Sequence, residues 1–341
     1  MPRDLEIPRV LAVHAHPDDE SIVTGLAIAA LHREGADVHV LTCTLGEQGE
    51  VIGEQGEVIG DKYQGLIADR TDQLGGYRIA ELRSALGALG INPRPEFLGG
   101  ATAWRDSGMV GTPSIEHPRA FAGSSDIHAG HTEEQVAQLQ AVIQRLKPHI
   151  VFTYGPDGGY GHPDHIKTHR VTHEAVVGLA SDAWVPNEIW WAVTPQRAYQ
   201  RALTGVQVPE GWRLPDDGEI ALVDEADIDV LLNGSADDVA AKTNAMAAHA
   251  TQLWVANGEG TDVNPEAREG RGASGETLYA LSNLIAQPIL PVEGFQLGWR
   301  NETLPADSTR QISLLDFNCV TNDASTGQQA TDANRERADE V

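Results

Sequence analysis

Residues 9–25, RVLAVHAHPDDESIVTG, determine how the rest of the chain is interpreted. The apolar run at residues 10–13 is too short for a helix and has the length of a buried parallel strand. It ends in His-Pro-Asp-Asp, and residues 21–32 are then rich in Ala, Ile and Leu at helical spacing. This strand–turn–helix pattern places an imidazole and two carboxylates at the carboxyl edge of a sheet, where open α/β folds bind their ligands.

The turn after this strand contains no glycine. A phosphate-binding turn needs glycines so that backbone N–H groups can approach the ligand. The turn is therefore expected to present side chains, and His and Asp are the side chains that bind zinc and move protons at neutral pH.

The composition limits the class of partner. The 341 residues carry a formal net charge of −26 at pH 7, which opposes binding to nucleic acid or to anionic lipid. No apolar run is long enough for a transmembrane span, and the first residues lack the apolar segment of a signal peptide. The two cysteines exclude a disulfide framework. We expect a cytoplasmic protein with a small-molecule partner, no nucleic-acid or membrane partner, and an oligomeric state that the sequence leaves unknown.

Strand and helix patterns alternate up to residue 195, which predicts an α/β fold with a mostly parallel, doubly wound sheet and helices on both faces. The predicted strands are residues 9–14, 37–44, 96–98, 149–154 and 188–193, and the predicted helices are residues 21–34, 71–89, 132–148 and 166–178. Beyond residue 195 the alternation weakens, with a helix predicted at 236–253. We expect a core over residues 1–195, a smaller C-terminal α+β portion over 196–300 that completes the cleft, and a polar acidic tail over 301–341, disordered over about its last 20 residues.

A second cluster, GGYGHPDH at residues 158–165, also follows a predicted strand and ends in a His-Pro-Asp turn. Two such turns at one sheet edge can converge on a single metal ion. The minimal hypothesis is a zinc site formed by His16, Asp19 and His165, with an open position for water. Asp18 is then left as general base and His162 as general acid.

In this hypothesis Asp164 orients a histidine, and bound zinc lowers the pKa of water to about 7. One His-Pro-Asp turn alone is usually only a capped helix start; the two copies together favour a site. His14 is expected to be packed or hydrogen-bonded, and His169 is a weaker alternative ligand.

A seven-residue sequence, GEQGEVI, occurs twice in tandem, at residues 46–52 and 53–59. A surface loop tolerates such an insertion at low entropic cost. Its glutamates are most simply a solvated acidic loop, although one of them is a candidate for binding substrate hydroxyls.

The motifs AHPDDE (15–20) and GHPDH (161–165) resemble the LmbE-like, N-acetylglucosaminyl-phosphatidylinositol de-N-acetylase superfamily, zinc hydrolases with a Rossmann-like fold. Longer strings resemble the deacetylases of actinobacterial mycothiol biosynthesis: TCTLGEQGEVIG (42–53), DQLGGYR (72–78), WRDSGM (104–109), AAHATQ (247–252) and LSNLIAQPIL (281–290). The resemblance implies a glucosaminyl-inositol substrate, 1-(2-acetamido-2-deoxy-glucopyranosyl)-myo-inositol, and one Zn²⁺ per subunit, with Fe²⁺ as an alternative.

The resemblance also implies roles for individual residues. The family's zinc ligands fall on His16, Asp19 and His165, its base on Asp18, and its acid-side histidine on His162 beside Asp164. Tyr160 would polarise the carbonyl or stabilise the oxyanion. Arg78, Asp106 and the glutamate of GEVIG would contact sugar and inositol hydroxyls. The duplication offers Glu50 or Glu57 for that glutamate, and we favour Glu50 because it keeps its spacing from strand two.

Two alternative functions stay open at this point. A mycothiol S-conjugate amidase shares the metal motifs, but in that enzyme a sequence resembling Ser-Ser-Lys-Gly follows the first motif. This chain has Ser-Ile-Val-Thr at residues 21–24 instead. A non-catalytic sugar- or nucleotide-binding module would need neither Asp18 nor His162.

Overall fold

The computed structural model describes residues 6–52, 61–67, 73–108, 132–304, 308–317 and 319–321. The strands are β1 (Arg9–His14), β2 (Asp37–Thr42), β3 (Ile150–Thr153), β4 (Glu188–Val193), β5 (Val230–Asn233), β6 (Trp254–Val255), β7 (Leu278–Ala280), β8 (Gln287–Pro288), β9 (Val292–Arg300) and β10 (Cys319–Thr321). The α-helices are α1 (Asp19–Val23), α2 (Gly25–Arg33), α3 (Leu74–Ala88), α4 (Thr132–Leu146), α5 (Pro163–Val177), α6 (Gln196–Leu203) and α7 (Ala236–Ala248). Short 3₁₀ helices lie at Asp61–Leu66, Glu225–Asp227 and Leu314–Asp316.

The described strands form one large mixed sheet and one small sheet. The large sheet has the order β10-β5-β9-β4-β3-β1-β2, and β6, β7 and β8 form the small one. Strands β2, β1, β3 and β4 run parallel to one another, whereas β9 is antiparallel to both β4 and β5. The predicted α/β fold with a mostly parallel sheet is confirmed, and the chain beyond residue 195 contributes β5, β9 and β10 to the same sheet.

Strand β1 lies in the interior because both of its faces are apolar. Val10 and Ala12 pack into a cluster with residues of α2, α3 and α7, such as Ile28. Leu11 and Val13 point to the opposite face and pack with residues of α4 and α5. Successive side chains of a strand alternate between faces, so one apolar run supports helices on both sides of the sheet.

The first predicted helix, residues 21–34, is wrong as a single element, because it is broken at Thr24 into α1 and α2. The free N–H groups of Leu26 and Ala27 donate to the Glu293 carboxylate of β9. Lys242 of α7 donates to the Ile22 carbonyl and to Glu293. Partners about 220 residues or more away in sequence thus satisfy both ends of the break.

The predicted strand at residues 96–98 is also wrong, since only Phe97 forms an isolated bridge, with Thr42. The flanking Pro95 has no N–H to donate to a ladder, and Gly99 turns the chain with φ of 70°. Strand two ends at Thr42 and not at residue 44, and α7 ends at Ala248 and not at residue 253. The prediction of disorder for about the last 20 residues concerns residues that lie outside the described ones.

Candidate metal centre and active site

The two His-Pro-Asp turns meet because β1 and β3 are parallel neighbours, so that their carboxyl ends share one edge of the sheet. The first turn follows β1 directly. The second starts α5, with His162 as N-cap and Pro163 in the first turn. A cavity of about 640 Å³ opens at this edge. Its lining includes every predicted site residue except Asp164: His16, Asp18, Asp19, Glu50, Arg78, Asp106, Tyr160, His162 and His165.

Three of the lining residues are arranged to hold a metal ion. The possible ligand atoms of His16, Asp19 and His165 all lie within 4.8 Å of one another, and all three side chains are buried. His165 Nε2 lies 3.3 Å from Asp19 Oδ1, and His16 Nδ1 lies 3.4 Å from Asp19 Oδ2. Although burial opposes ionisation, the neighbouring His165 and His16 hold the pKa of Asp19 well below its ordinary value. The carboxylate is therefore ionised, as a metal ligand must be.

The hydrogen bonds of both histidines leave one ring nitrogen available. His165 Nδ1 donates to the Gly158 carbonyl at 3.1 Å, and its buried Nε2 has no hydrogen-bond partner among the described residues. His16 Nε2 donates to Asp164 Oδ2 at 3.1 Å, which leaves Nδ1 on the side of Asp19. Metal-bound histidines characteristically donate their second N–H to a carboxylate or carbonyl. These residues therefore fit a metal ion, and Asp164 lies behind the cavity as the partner of His16.

A second group, His16, Asp106 and His162, also brings possible ligand atoms together. Its chemistry is less suited to a metal, because His16 Nε2 already contacts the carboxylates of Asp164 and Asp106. His162 Nδ1 accepts the Asp164 N–H at 3.1 Å, so neutral His162 carries its hydrogen on Nε2 and acts there as a donor. Burial lowers the pKa of His162 to about 3, which keeps the ring neutral.

Asp18 occupies an unusual backbone conformation at the cavity, with φ of 107°. The Glu20 carboxylate accepts its N–H at 3.0 Å, and Arg78 Nη2 lies 3.1 Å from its Oδ2. Burial raises the pKa of Asp18 to about 6, against the opposing charge of Arg78. A strained residue held on both sides is characteristic of functional sites.

The predicted substrate-binding residues differ in how freely they can contact a ligand. Arg78 is almost fully buried and donates to the carbonyls of Gly46 and Pro17, so it holds two loops together. Asp106 accepts N–H groups of Gly108 at 2.8 Å and Gln48 at 3.2 Å. These contacts fix the arginine and the aspartate as parts of the cavity wall.

Glu50 lies at the exposed rim of the cavity and accepts a hydrogen bond from Ser282 Oγ at 2.7 Å. Glu47 is buried and its carboxylate accepts the Asp106 N–H, so the interpretation of the loop as a solvated acidic segment is wrong for that residue. Glu54 and Glu57 of the second heptad lie outside the described residues.

The glycines of the first heptad make room for Arg78. A Cβ atom on Gly46 would lie 2.1 Å from Arg78 Nη1, and one on Gly49 would lie 2.7 Å from the same atom. Gly46 also has φ of 63°, which disfavours other residues. The Gly-x-x-Gly spacing therefore serves close packing on a guanidinium and not on a phosphate.

Sequence reasoning missed several residues that support the site. Ser107 donates to Asp164 through both its N–H and its hydroxyl. Glu20 is fully buried and accepts from Ser21 Oγ and pairs with His249 Nε2 at 2.7 Å. Burial acts to lower the pKa of His249, but the neighbouring Glu20 carboxylate outweighs burial and raises that pKa above its ordinary value. The sequence could have identified Ser107, Glu20 and His249 only through their positions in the motifs WRDSGM, AHPDDE and AAHATQ, which resemble those of the deacetylases.

Sequence reasoning also missed Tyr154, which follows β3 and contacts Asp19. The one feature of the sequence that pointed to it was its position at the end of a predicted strand. His169, the alternative ligand, bonds instead to the Tyr154 carbonyl through Nδ1. His14 bonds to Thr24 Oγ1 and Tyr154 OH, in line with a packed, hydrogen-bonded histidine.

None of the helices that the structure describes has the length and apolar character needed to cross a membrane.

Comparisons with known proteins agree with this geometry. Residues 11–176 match the PIG-L family, GlcNAc-PI de-N-acetylase. Three relatives carry the name 1D-myo-inositol 2-acetamido-2-deoxy-alpha-D-glucopyranoside deacetylase. The protein of Corynebacterium urealyticum is 58% identical over 94% of this chain and 93% of its own. Those of Corynebacterium jeikeium and Corynebacterium diphtheriae are 50% and 48% identical over 87% and 91% of this chain, and 93% and 99% of their own. The chain belongs to the PIG-L, GlcNAc-PI de-N-acetylase family.

Proposed function

We propose that this chain is a zinc-dependent deacetylase in mycothiol biosynthesis. It hydrolyses the acetamide of 1D-myo-inositol 2-acetamido-2-deoxy-α-D-glucopyranoside to the free amine and acetate. The observation that carries the proposal is the buried trio of His16, Asp19 and His165 beside Asp18 in one cavity, with His165 Nε2 accepting and donating no hydrogen bond among the described residues. The names of the relatives support the substrate.

Two histidines and one carboxylate with an open position form a ligand set that suits catalytic zinc, and the same set with open positions also suits Fe²⁺. We place Zn²⁺ on His16, Asp19 and His165, one ion per subunit. A bound ion supplies a Lewis acid that polarises the amide carbonyl and lowers the pKa of a nearby water.

Asp18 accepts the proton of the attacking water while the oxygen–carbon bond forms. Its carboxylate is suited to this step because burial raises its pKa toward neutrality, and general bases work best near the operating pH. Arg78 and the Glu20 carboxylate hold Asp18 in place from two sides. The carbon–nitrogen bond then breaks, and the leaving nitrogen needs one proton to depart as the amine.

The predicted role of His162 as general acid requires a second ring proton on Nδ1, where the Asp164 N–H is already bound. We therefore propose that neutral His162 donates a hydrogen bond from Nε2 to the developing oxyanion, together with Tyr160, and that Asp18 returns the proton to the leaving amine. A His162→Gln enzyme keeps an N–H donor, whereas His162→Ala does not. Equal activity loss in both variants would support the general-acid role instead.

Asp106 and Glu50 line the cavity as carboxylates and are proposed to accept hydrogen bonds from sugar or inositol hydroxyls. Arg78 acts mainly by holding Gly46 and Asp18.

Incubation of the zinc-loaded protein with three substrates, followed by measurement of free amine, tests the proposed function. The acetylated glucosaminyl-inositol should be cleaved faster than plain N-acetylglucosamine and faster than a mycothiol S-conjugate. Preference for the conjugate would favour the amidase. No amine release, with ligand binding that is equal with and without zinc, would favour a non-catalytic module.

Two variants separate metal binding from proton transfer. Asp18→Ala should keep zinc and lose most activity, and near-normal turnover would remove Asp18 as base. His165→Ala should lose both zinc and activity.

A further inference from the structure

Tyr154 lies directly after β3 and is 2% exposed, between two of the three proposed metal ligands. Its hydroxyl donates to Asp19 Oδ2 at 2.7 Å, and its ring stacks on that of His165 with centroids 4.1 Å apart and planes 15° apart. We infer that Tyr154 is a positioning residue for the metal centre, which fixes both Asp19 and His165 before the ion binds. This inference rests on the proposed function only for the identity of the metal ligands.

Because Tyr154 bonds to only one carboxylate oxygen of Asp19, the two oxygens have different surroundings. Oδ2 accepts two hydrogen bonds, one from Tyr154 and one from the His16 N–H at 2.9 Å. Oδ1 faces His165 Nε2 at 3.3 Å. One oxygen is thus saturated by the protein and the other is left for a single bond to a metal ion. Hydrogen-bonded ligand carboxylates of this kind are part of metal-site design, because they fix the carboxylate orientation.

The ring of Tyr154 fixes the second ligand. His165 is held in its plane by the stacked phenol on one side and by its Nδ1–H bond to the Gly158 carbonyl. Together these contacts set both the ring orientation and the nitrogen that remains available.

Tyr154 is itself held by groups at the carboxyl end of β1. The Ala15 N–H donates to its hydroxyl oxygen at 2.9 Å. His14 Nδ1 lies 3.3 Å from the same oxygen, and His14 Nε2 bonds to Thr24 Oγ1 at 2.8 Å. The one proton of the Tyr154 hydroxyl goes to Asp19, so His14 Nδ1–H is the donor to the Tyr154 oxygen, and His14 Nε2 accepts the Thr24 hydroxyl. The hydroxyl position is therefore fixed from several directions, which is what preorganisation requires.

The test compares Tyr154→Phe, which keeps the ring and removes the hydroxyl, with Tyr154→Leu, which removes both. Tyr199→Phe is the matched control, because the Tyr199 hydroxyl is also buried but has no hydrogen-bond partner among the described residues. The zinc dissociation constant of each protein is measured by competition with a chelator, and the thermal midpoint of each metal-free protein is measured alongside.

We expect Tyr154→Phe to weaken zinc binding by about 10- to 100-fold, the usual effect of losing a partner of a metal ligand, and Tyr154→Leu to weaken it further. Tyr199→Phe should bind zinc as wild type does. Activity of Tyr154→Phe should recover as zinc is raised, with KM unchanged. Thr24→Val, which loosens His14, is a milder second variant should Tyr154→Phe fail to fold, and it should weaken zinc binding in the same direction.

A merely structural role would lower the thermal midpoint of the metal-free Tyr154→Phe protein and leave its zinc affinity equal to that of wild type. That result would overturn the inference alone. A wild-type protein that binds no zinc would overturn the inference together with the proposed function.

Discussion

Replacing Ile52 by Ala tests whether the first copy of the duplicated heptad is part of the folded core. Ile52 is 1% exposed and lies in an apolar cluster with Val51, Leu74 and Trp254. Its N–H donates to the Thr251 carbonyl at 2.7 Å. The first heptad is thus anchored by side chain and backbone at once.

The size of the effect follows from the burial of Ile52. The substitution removes three carbons, and at about 0.8 kcal/mol for each buried methylene the transfer part is about 2.4 kcal/mol. The cavity left behind adds to this, so the free energy of unfolding should fall by about 2.5–5 kcal/mol. Urea denaturation followed by circular dichroism measures the change.

Ile7 is a suitable control, because its side chain is 65% exposed and the same Ile→Ala change there should cost less than the change at Ile52. A larger loss at Ile7, or a loss below about 0.5 kcal/mol at Ile52, would refute the assignment of the first heptad to the core. Of the two glutamates that the duplication offers, Glu50 is the one proposed to contact substrate, so Glu50→Gln should raise KM more than Glu57→Gln does.

Three further substitutions test the supports of the fold and the site. Lys242→Met leaves the Glu293 carboxylate buried without its cation and should lower the free energy of unfolding by about 3–5 kcal/mol in urea denaturation. Burial lowers the pKa of His149 to about 4 from 6.5, so the unfolded chain takes up that proton first as pH falls. The stability contributed by the neutral ring is therefore fully present above pH 6.5 and is lost as the pH falls from 6.5 to 4. The free energy of unfolding should depend less steeply on pH in this range for His149→Asn, as denaturation at several pH values would show. Arg78→Lys removes hydrogen bonds that hold the turn and Asp18, so kcat should fall by about 10- to 100-fold with zinc still bound, as enzyme assays and metal analysis would show.

Each of these has an outcome that would contradict it. Arg170 pairs with Glu174 at the surface, so Arg170→Met should lower the free energy of unfolding by less than about 1 kcal/mol. A loss equal to that of Lys242→Met would contradict the claim that burial makes the Lys242–Glu293 pair costly to break. An unchanged pH slope in His149→Asn would mean that titrating groups other than His149 produce the slope, because Arg9 and Arg310, which face the ring, stay charged throughout this range. Full activity in Arg78→Lys would show that Asp18 needs no fixed guanidinium.

Local patterns in the sequence predicted the parts of the fold that local physics controls. The apolar run of β1 is buried on both faces, so its strand character was visible in four residues. The start of α5 was visible only approximately: a His-Pro-Asp turn indicates a capped helix start, but the helix was predicted from residue 166 and begins at Pro163, with His162 as its N-cap. The two metal motifs could be paired because parallel strands end at the same edge.

The structure differs from the sequence-based predictions where contacts between distant segments of the chain control it. The break at Thr24 depends on Glu293 and Lys242, which no window around residue 24 contains. Glu47 is buried by its approach to Asp106, so its acidic surroundings in sequence were misleading. Tyr154 looked like one more strand residue, and its role depends on meeting Asp19, 135 positions earlier.

Titration of metal-free protein with zinc, with amine release from the acetylated glucosaminyl-inositol as the readout, tests the central claim most directly. If His16, Asp19 and His165 hold one ion on which hydrolysis depends, activity should rise linearly and reach its maximum at one equivalent of zinc per chain. The His165→Ala protein should show no such rise at the same concentrations. Full turnover by the metal-free wild-type protein would contradict the account.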